Sequence, residues 1–189
     1  VTDVREAIRT RRSVGRVTDE PLPRELVERL LEAALWAPNH RMTSPWRFVV
    51  ITGAARDALG DAHARAVGRG APETSDEVLA AQRALTRRAP VVIACISRPS
   101  SDDPVVRRED RDAVSAAIQN LLLAAHAEGL GAIWRTGAFV EEAEVRGHLG
   151  CAARDEIVGF VYLGRPAAPP PPPPPRPDLR DAVEWRGGD

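Results

Sequence analysis

Apolar residues recur at three- and four-residue spacing between Pro23 and Trp36, where Leu26, Val27, Leu30, Leu31, Ala34 and Leu35 fall on one face. That spacing predicts an amphipathic helix with Pro23 near its first position. An earlier helix opens at Thr2-Asp3-Val4-Arg5-Glu6, with Thr2 or Asp3 as cap, and runs to about Arg11 or Arg12. Further helices are expected over Ala54 to Val67 and Asp76 to Arg88, separated by a turn at Gly68 to Pro72, and over Glu141 to Leu149. Apolar runs predict strands over Trp46 to Thr52, Pro90 to Ser97, Ala132 to Thr136 and Ile157 to Leu163. Pro90 to Ser97 is apolar on both faces, as a central strand should be. From about Arg107 to Glu128 a long helix carries Ala, Ile or Leu on almost every side, ending at Gly129 and Gly131. Protein must surround it, and its alanines admit a close neighbour, including one from a second subunit.

Two segments depart from this regularity. Between Ala37 and Trp46 a polar loop carries Asn39, His40, Arg41, Met42 and Ser44, with Pro38 and Pro45 stiffening its ends. After Gly164 comes Pro166, then seven consecutive prolines from Pro169 to Pro175, then Pro177. The run imposes an extended spacer of ~22 Å at ~3.1 Å per residue. Leu179, Val183 and Trp185 beyond it have no apolar partner within the tail. Three readings stay open: a disordered end, a ligand for an SH3-type domain, or an arm docked on a partner subunit. The chain thus divides into a domain over 1–165 and an arm over 166–189.

A length of 189 residues suits one domain. Net charge near −1 gives no reason to expect nucleic acid or an anionic membrane as partner. All 26 basic residues are Arg, which excludes a lysine Schiff base. Cys95 lies inside an apolar strand and reads as an inert thiol, far in sequence from Cys151. The N-terminal stretch is charged rather than apolar, and the longest helix carries Gln119, Asn120 and His126. Neither reads as a membrane segment, so a cytoplasmic protein is expected. The four histidines show no metal-ligand spacing, and no Gly-x-Gly-x-x-Gly, Walker loop or serine elbow occurs.

Three clusters could carry chemistry. Arg11, Arg12 and Ser13 at a helix end can clamp a phosphate, or simply complement the helix C-terminus. His40 in its stiff loop is a contact residue or a solvated side chain. Trp134, Arg135 and Thr136 close a strand, where Trp can wall an aromatic ligand and Arg can donate to it, or Trp134 can be core.

In order along the chain, Arg11-Arg12-Ser13, Ala37-Pro38 with Pro45-Trp46-Arg47-Phe48-Val49-Val50, Gly129-Leu130-Gly131-Ala132-Ile133-Trp134-Arg135-Thr136-Gly137 and Asp155 to Gly164 resemble the nitroreductase family. The likeness is greatest to its small bacterial NAD(P)H nitroreductases and spans about Val4 to Arg165. It implies an α+β fold, with a mainly antiparallel sheet surrounded by helices. It also implies a homodimer whose C-terminal arm extends onto the partner and adds a strand, with FMN bound at each of two interface sites. Arg11, Arg12 and Ser13 would then hold the FMN phosphate and ribityl chain. Trp134, Arg135 and Thr136 would lie beside the isoalloxazine. His40 would reach the cofactor from the other subunit, with Trp36 as a second contact, and Ala124 to Gly129 would meet the nicotinamide nucleotide. Met42 and Ser44 stand where the broader family has Asn and Gln. The implied activity is ping-pong transfer of two electrons from NAD(P)H to a nitroaromatic, quinone or similar small acceptor, with no protein nucleophile or base. Dehalogenation, flavin cleavage, azoline dehydrogenation and a non-catalytic flavin-binding or interaction role stay open beside it.

Overall fold

The computed structural model describes residues 3–187. The Thr2 capping alternative lies outside them, and Asp3 takes the cap, its side chain accepting from the Arg5 amide at 3.3 Å. Seven α-helices and four strands follow among the described residues: α1 (Val4–Thr10), α2 (Arg24–Leu35), β1 (Trp46–Thr52), α3 (Ala55–Gly70), α4 (Asp76–Arg83), β2 (Val91–Ser97), α5 (Pro104–Ala127), β3 (Gly131–Arg135), α6 (Ala143–His148), β4 (Glu156–Gly164) and α7 (Leu179–Ala182). The strands form one open antiparallel sheet in the order β1-β2-β4-β3.

Strand alternation divides the core into two layers. Val91, Ile93, Cys95, Val161 and Leu163 face α2 and α5 on one side. Val92, Ala94, Ile96, Phe160 and Tyr162 face α3 and α6 on the other. Every residue of β2 is buried, as its two-sided apolar pattern requires.

Local boundaries differ from the sequence expectation for identifiable reasons. α5 begins at Pro104 rather than near Arg107, because the Asp103 side chain caps it by accepting from the Val105 amide at 2.7 Å. α3 continues through Gly68, where Leu79 of α4 covers the bare backbone. The expected helix from Asp76 tightens to a 3₁₀ turn over Ala84–Arg88. There the chain packs on α3 at Gly60, where a Cβ would lie 2.3 Å from the Arg83 carbonyl, and Thr86 Oγ1 donates to the Arg56 carbonyl at 2.7 Å. Pro23 is the cap of α2 rather than its first residue.

One packing detail places the candidate site. Gly131 of β3 and Gly164 of β4 are register partners. A Cβ on either would lie 2.8–2.9 Å from the side chains of Val14, Val17 or Pro90. Their bareness lets the extended segment after α1 cross the sheet corner closely. The Val14 amide donates to the Ala132 carbonyl at 2.9 Å, Thr18 to Arg165 at 2.8 Å, and Ala167 to Arg16 at 3.1 Å. Residues 13–18 are thereby stitched between β3 and the chain leaving β4.

Candidate functional site

Helix α1 ends because Arg11 turns to extended backbone, leaving Arg11 and Arg12 half-buried at the helix exit. Arg12 Nη1 donates to the Arg9 and Arg11 carbonyls at 2.8 and 2.7 Å, while its Nε is buried without a partner. Burial lowers the Arg11 guanidinium from its ordinary pKa, and the neighbouring charges of Arg12 and Arg176 lower it further. Arg176, which closes the polyproline run, is the one distant residue whose charge acts on Arg11. None of these three arginines makes an ion pair among the described residues. A cluster of guanidiniums lacking carboxylates is suited to a phosphate-sized anion. Ser13 is exposed next to it. Sequence reasoning missed Arg176, whose one signal was a single cation closing a run of prolines.

A second concentration of cations lies at the far end of the segment 13–18. A cavity of about 310 Å³ is lined by His63, Leu85, Arg88, Tyr162 and Phe139 together with Ile133 to Thr136. A neighbouring hollow is lined by Gly15, Arg16, Val17, Arg88, Arg135, Ala167 and Ala168. Among the described residues no Asp or Glu lines either space. The Arg135 guanidinium sits 5.6 Å from the Tyr162 ring centroid, and its Nε is buried without a partner. Gly15 gives it room, since a Cβ there would already be 3.4 Å from Arg135 Nη2. Burial raises the Tyr162 phenol pKa against the opposing charges of Arg135 and Arg88. Behind the cavity the buried His63 ring meets Glu142 Oε2 at 2.6 Å and Gln82 Oε1 at 3.0 Å, edge-on to Phe139.

Trp134 borders the same cavity, but strand alternation sends its indole to the α5 side, in the layer with Val161. It lies across Gly159, where a Cβ would be 2.1 Å from Nε1. Thr136 follows as an exposed residue at the strand end. Trp134, Arg135 and Thr136 line the cavity, whereas Arg11, Arg12 and Ser13 line neither space; Ser13 is joined to β3 by its bridge to Ala132.

Trp36 and His40 line neither space. Trp36 is 86% exposed at the C-terminus of α2, and His40 is exposed in the 3₁₀ turn His40–Met42. Their loop is held by side chains. Asn39 Oδ1 accepts from the Ser44 amide at 3.0 Å, and Thr43 Oγ1 donates to Asp110 Oδ1 at 2.6 Å. Asp110, 2% exposed, also accepts from the Ser100 amide and hydroxyl at 2.8 and 3.0 Å. Arg41, Met42 and Ser44 all have φ near +50°, a conformation that costs a non-glycine residue ~1–2 kcal/mol. Arg47, without a role in sequence, caps α6 by donating to the Leu149 carbonyl at 2.7 Å.

Comparison with known proteins matches this geometry to a family. Residues 8–165 match the model of the Nitroreductase family. The chain belongs to the nitroreductase family. It is 34% identical over 176 residues to "Putative NAD(P)H nitroreductase YdjA" of Escherichia coli strain K12, covering 93% of this chain and 95% of that protein. A solved nitroreductase-like family protein from Bacillus cereus superposes with a TM-score of 0.87 at 26% identity, covering 100% and 98% of the two chains. A Desulfovibrio desulfuricans structure, solved as a "putative nitroreductase in complex with fmn", gives a TM-score of 0.74 at 30% identity over 100% and 99%. The antiparallel α+β architecture is that of this family. Among the described residues no helix is long and apolar enough to cross a membrane.

Proposed function

We propose that this nitroreductase-family chain is an FMN-dependent oxidoreductase that passes two electrons from NAD(P)H to a nitroaromatic, quinone or similar small acceptor. The observation that carries this reading is the pair of arginines, Arg12 at the exit of α1 and Arg135 in a cleft lined by no carboxylate among the described residues, whose Nε atoms are buried without a partner there. Arg11, Arg12 and Ser13, joined by Arg176, fit the phosphate and ribityl chain of FMN. Arg135, Thr136 and the Trp134 backbone fit the edge of its ring. Bound FMN would supply the two-electron chemistry between NAD(P)H and the acceptor, and turnover would then be ping-pong. The chain's own part is to hold the phosphate, orient the ring and place the Arg135 charge beside it in a partly dry cleft. No protein nucleophile is needed.

The working form in this reading is a homodimer. Val4, Ile8, Leu35 and Trp36 are exposed around a hollow lined by Ala7, Ala33, Leu123, Ala124 and Ala127, a face that a second copy would cover. Such a copy would bring His40 and Trp36 to its partner's cofactor. Ala124 to Gly129 would border the nicotinamide nucleotide. The arm 166–189, appended to the domain 1–165, would dock on the partner. Its Trp185 is 88% exposed, and a cavity of about 690 Å³ between α2 and the free edge of β1 offers Leu22, Val27, Leu31 and Val50 as an apolar seat. The test is anaerobic mixing of FMN-loaded protein with NADPH or NADH, then with a nitroaromatic. Bleaching of the flavin followed by its return supports the reading. A bound flavin that neither reductant bleaches refutes it.

A further inference from the structure

We propose that Arg88 and Arg135 form a two-cation bracket on Tyr162 that stabilises negative charge delocalised over a planar ring. In the flavin reading above, on which this rests, that charge is the one carried at the pyrimidine end of FMN. Arg88 ends the 3₁₀ turn Ala84–Arg88, just before β2. Thr86, wholly buried, pins that turn to the backbone of α3. Arg87 turns outward to pair with Asp57. Arg88 instead makes no hydrogen bond or ion pair among the described residues and is directed to the cleft it lines.

Arg88 and Arg135 are the two residues shared by the linings of both neighbouring spaces, which makes those spaces one cleft bridged by two guanidiniums. Both line the cavity that Tyr162 lines, Arg135 with its guanidinium 5.6 Å from the Tyr162 ring centroid. Two like charges in a cleft without a carboxylate repel each other, and a bound anion relieves the repulsion. The walls define the form of that anion. Tyr162 and Phe139 line the cleft with aromatic side chains, and the bare backbone of Gly15 leaves room for the Arg135 guanidinium beside Tyr162. Flat cations against aromatic walls match a charge spread over a ring, whereas Arg11, Arg12 and Arg176 form a separate cluster for a localised phosphate. The roles also divide within the bracket. Arg135 is half-buried on the sheet, while Arg88 is exposed at a turn whose geometry Thr86 holds. Arg88 therefore adds field without supporting the fold.

The test uses FMN-loaded protein carrying Arg88→Gln or Arg88→Lys. Sulfite adds to oxidised flavin by donating its lone pair to N5, forming an N–S bond and moving negative charge into the pyrimidine ring, with no oxidant required. Arg88→Gln is expected to weaken sulfite binding about tenfold and to tighten binding of oxidised relative to reduced flavin by a similar factor. A tenfold change corresponds to a midpoint potential lower by about 30 mV for a two-electron couple. Arg88→Lys, which retains the charge, should stay within about threefold of the parent protein. An unchanged potential and sulfite affinity in Arg88→Gln overturns the proposal. A loss confined to kcat/KM for a carboxylated nitroaromatic relative to nitrobenzene also overturns it, because the charge would then belong to the acceptor. Flavin that binds and titrates with sulfite but is not reduced by NAD(P)H refutes the oxidoreductase reading and leaves the bracket standing.

Discussion

Gly159→Ala is the most searching single substitution in the sheet. The new Cβ would lie 2.1 Å from Trp134 Nε1 and 2.8 Å from the Arg135 carbonyl oxygen. The first contact is roughly 1.5 Å inside the optimum of about 3.5–4.0 Å for heavy atoms. Relief requires either that the indole leaves its place against α5 or that β3 moves away from β4. Losing much of one aromatic side chain's burial costs about 1.5–3 kcal/mol, and forced overpacking costs a similar 1–3 kcal/mol. Replacing glycine in a strand returns about 0.5–1 kcal/mol of backbone entropy. By the indole-displacement route a net loss of about 0.5–2.5 kcal/mol follows. Urea denaturation at fixed protein concentration would measure it, with near-UV circular dichroism reporting the displaced indole. A double-mutant cycle isolates the cause: in a Trp134→Leu background the cost of Gly159→Ala should shrink by about 1 kcal/mol or more. An equal cost in both backgrounds, or none in either, would refute the placement of Trp134 across Gly159.

Arg11→Ala removes a charge-assisted partner that the proposed site offers the FMN phosphate, worth about 1.5–3 kcal/mol, so FMN should bind roughly 10–100-fold more weakly in a fluorescence-quenching titration while riboflavin binding is unchanged. Asp110→Ala leaves Thr43 and Ser100 without their shared acceptor; a loss of about 3 kcal/mol should appear in urea denaturation, together with faster proteolysis between Asn39 and Ser44. Burial pushes the Cys95 thiol far up and the Cys151 thiol up more mildly. A raised thiol pKa means less thiolate at a given pH, so Cys151 should react with a disulfide reagent slowly and faster as pH rises, and Cys95 only on unfolding. Trp185→Ala should shift the subunit equilibrium toward monomer in sedimentation velocity if the arm seats on a partner, and leave it unmoved if the tail is free.

The four strands were legible because each is a short apolar run bounded by proline, glycine or polar residues, and Trp46–Thr52 begins and ends where the pattern places it. Helix ends were less legible. The Asp103 cap sits in a polar stretch that reads equally as loop, and the 3₁₀ tightening at Ala84 depends on Gly60 of a different helix. Of the residues singled out in the sequence, Trp134, Arg135 and Thr136 line one cavity, with the Trp134 indole on the α5 side because a strand alternates faces, while Arg11, Arg12 and Ser13 lie at the exit of α1 and line neither space. Arg88 was missed because tertiary packing brings it to the cleft from the end of a 3₁₀ turn, and Arg176 because it sits in a proline tail; neither carries a local motif. Asp110 was missed because it is one acidic residue in a helix rich in charge at that end, and its burial depends on the loop that it holds.

A titration of the chain with FMN and with riboflavin, followed by flavin fluorescence, tests the central claim most directly. A phosphate held by Arg11 and Arg12 at the exit of α1, as proposed, predicts one FMN per chain, bound at least about 100-fold more tightly than riboflavin. Equal affinity for the two flavins, or no binding of either, would contradict the assignment of this corner as a flavin mononucleotide site.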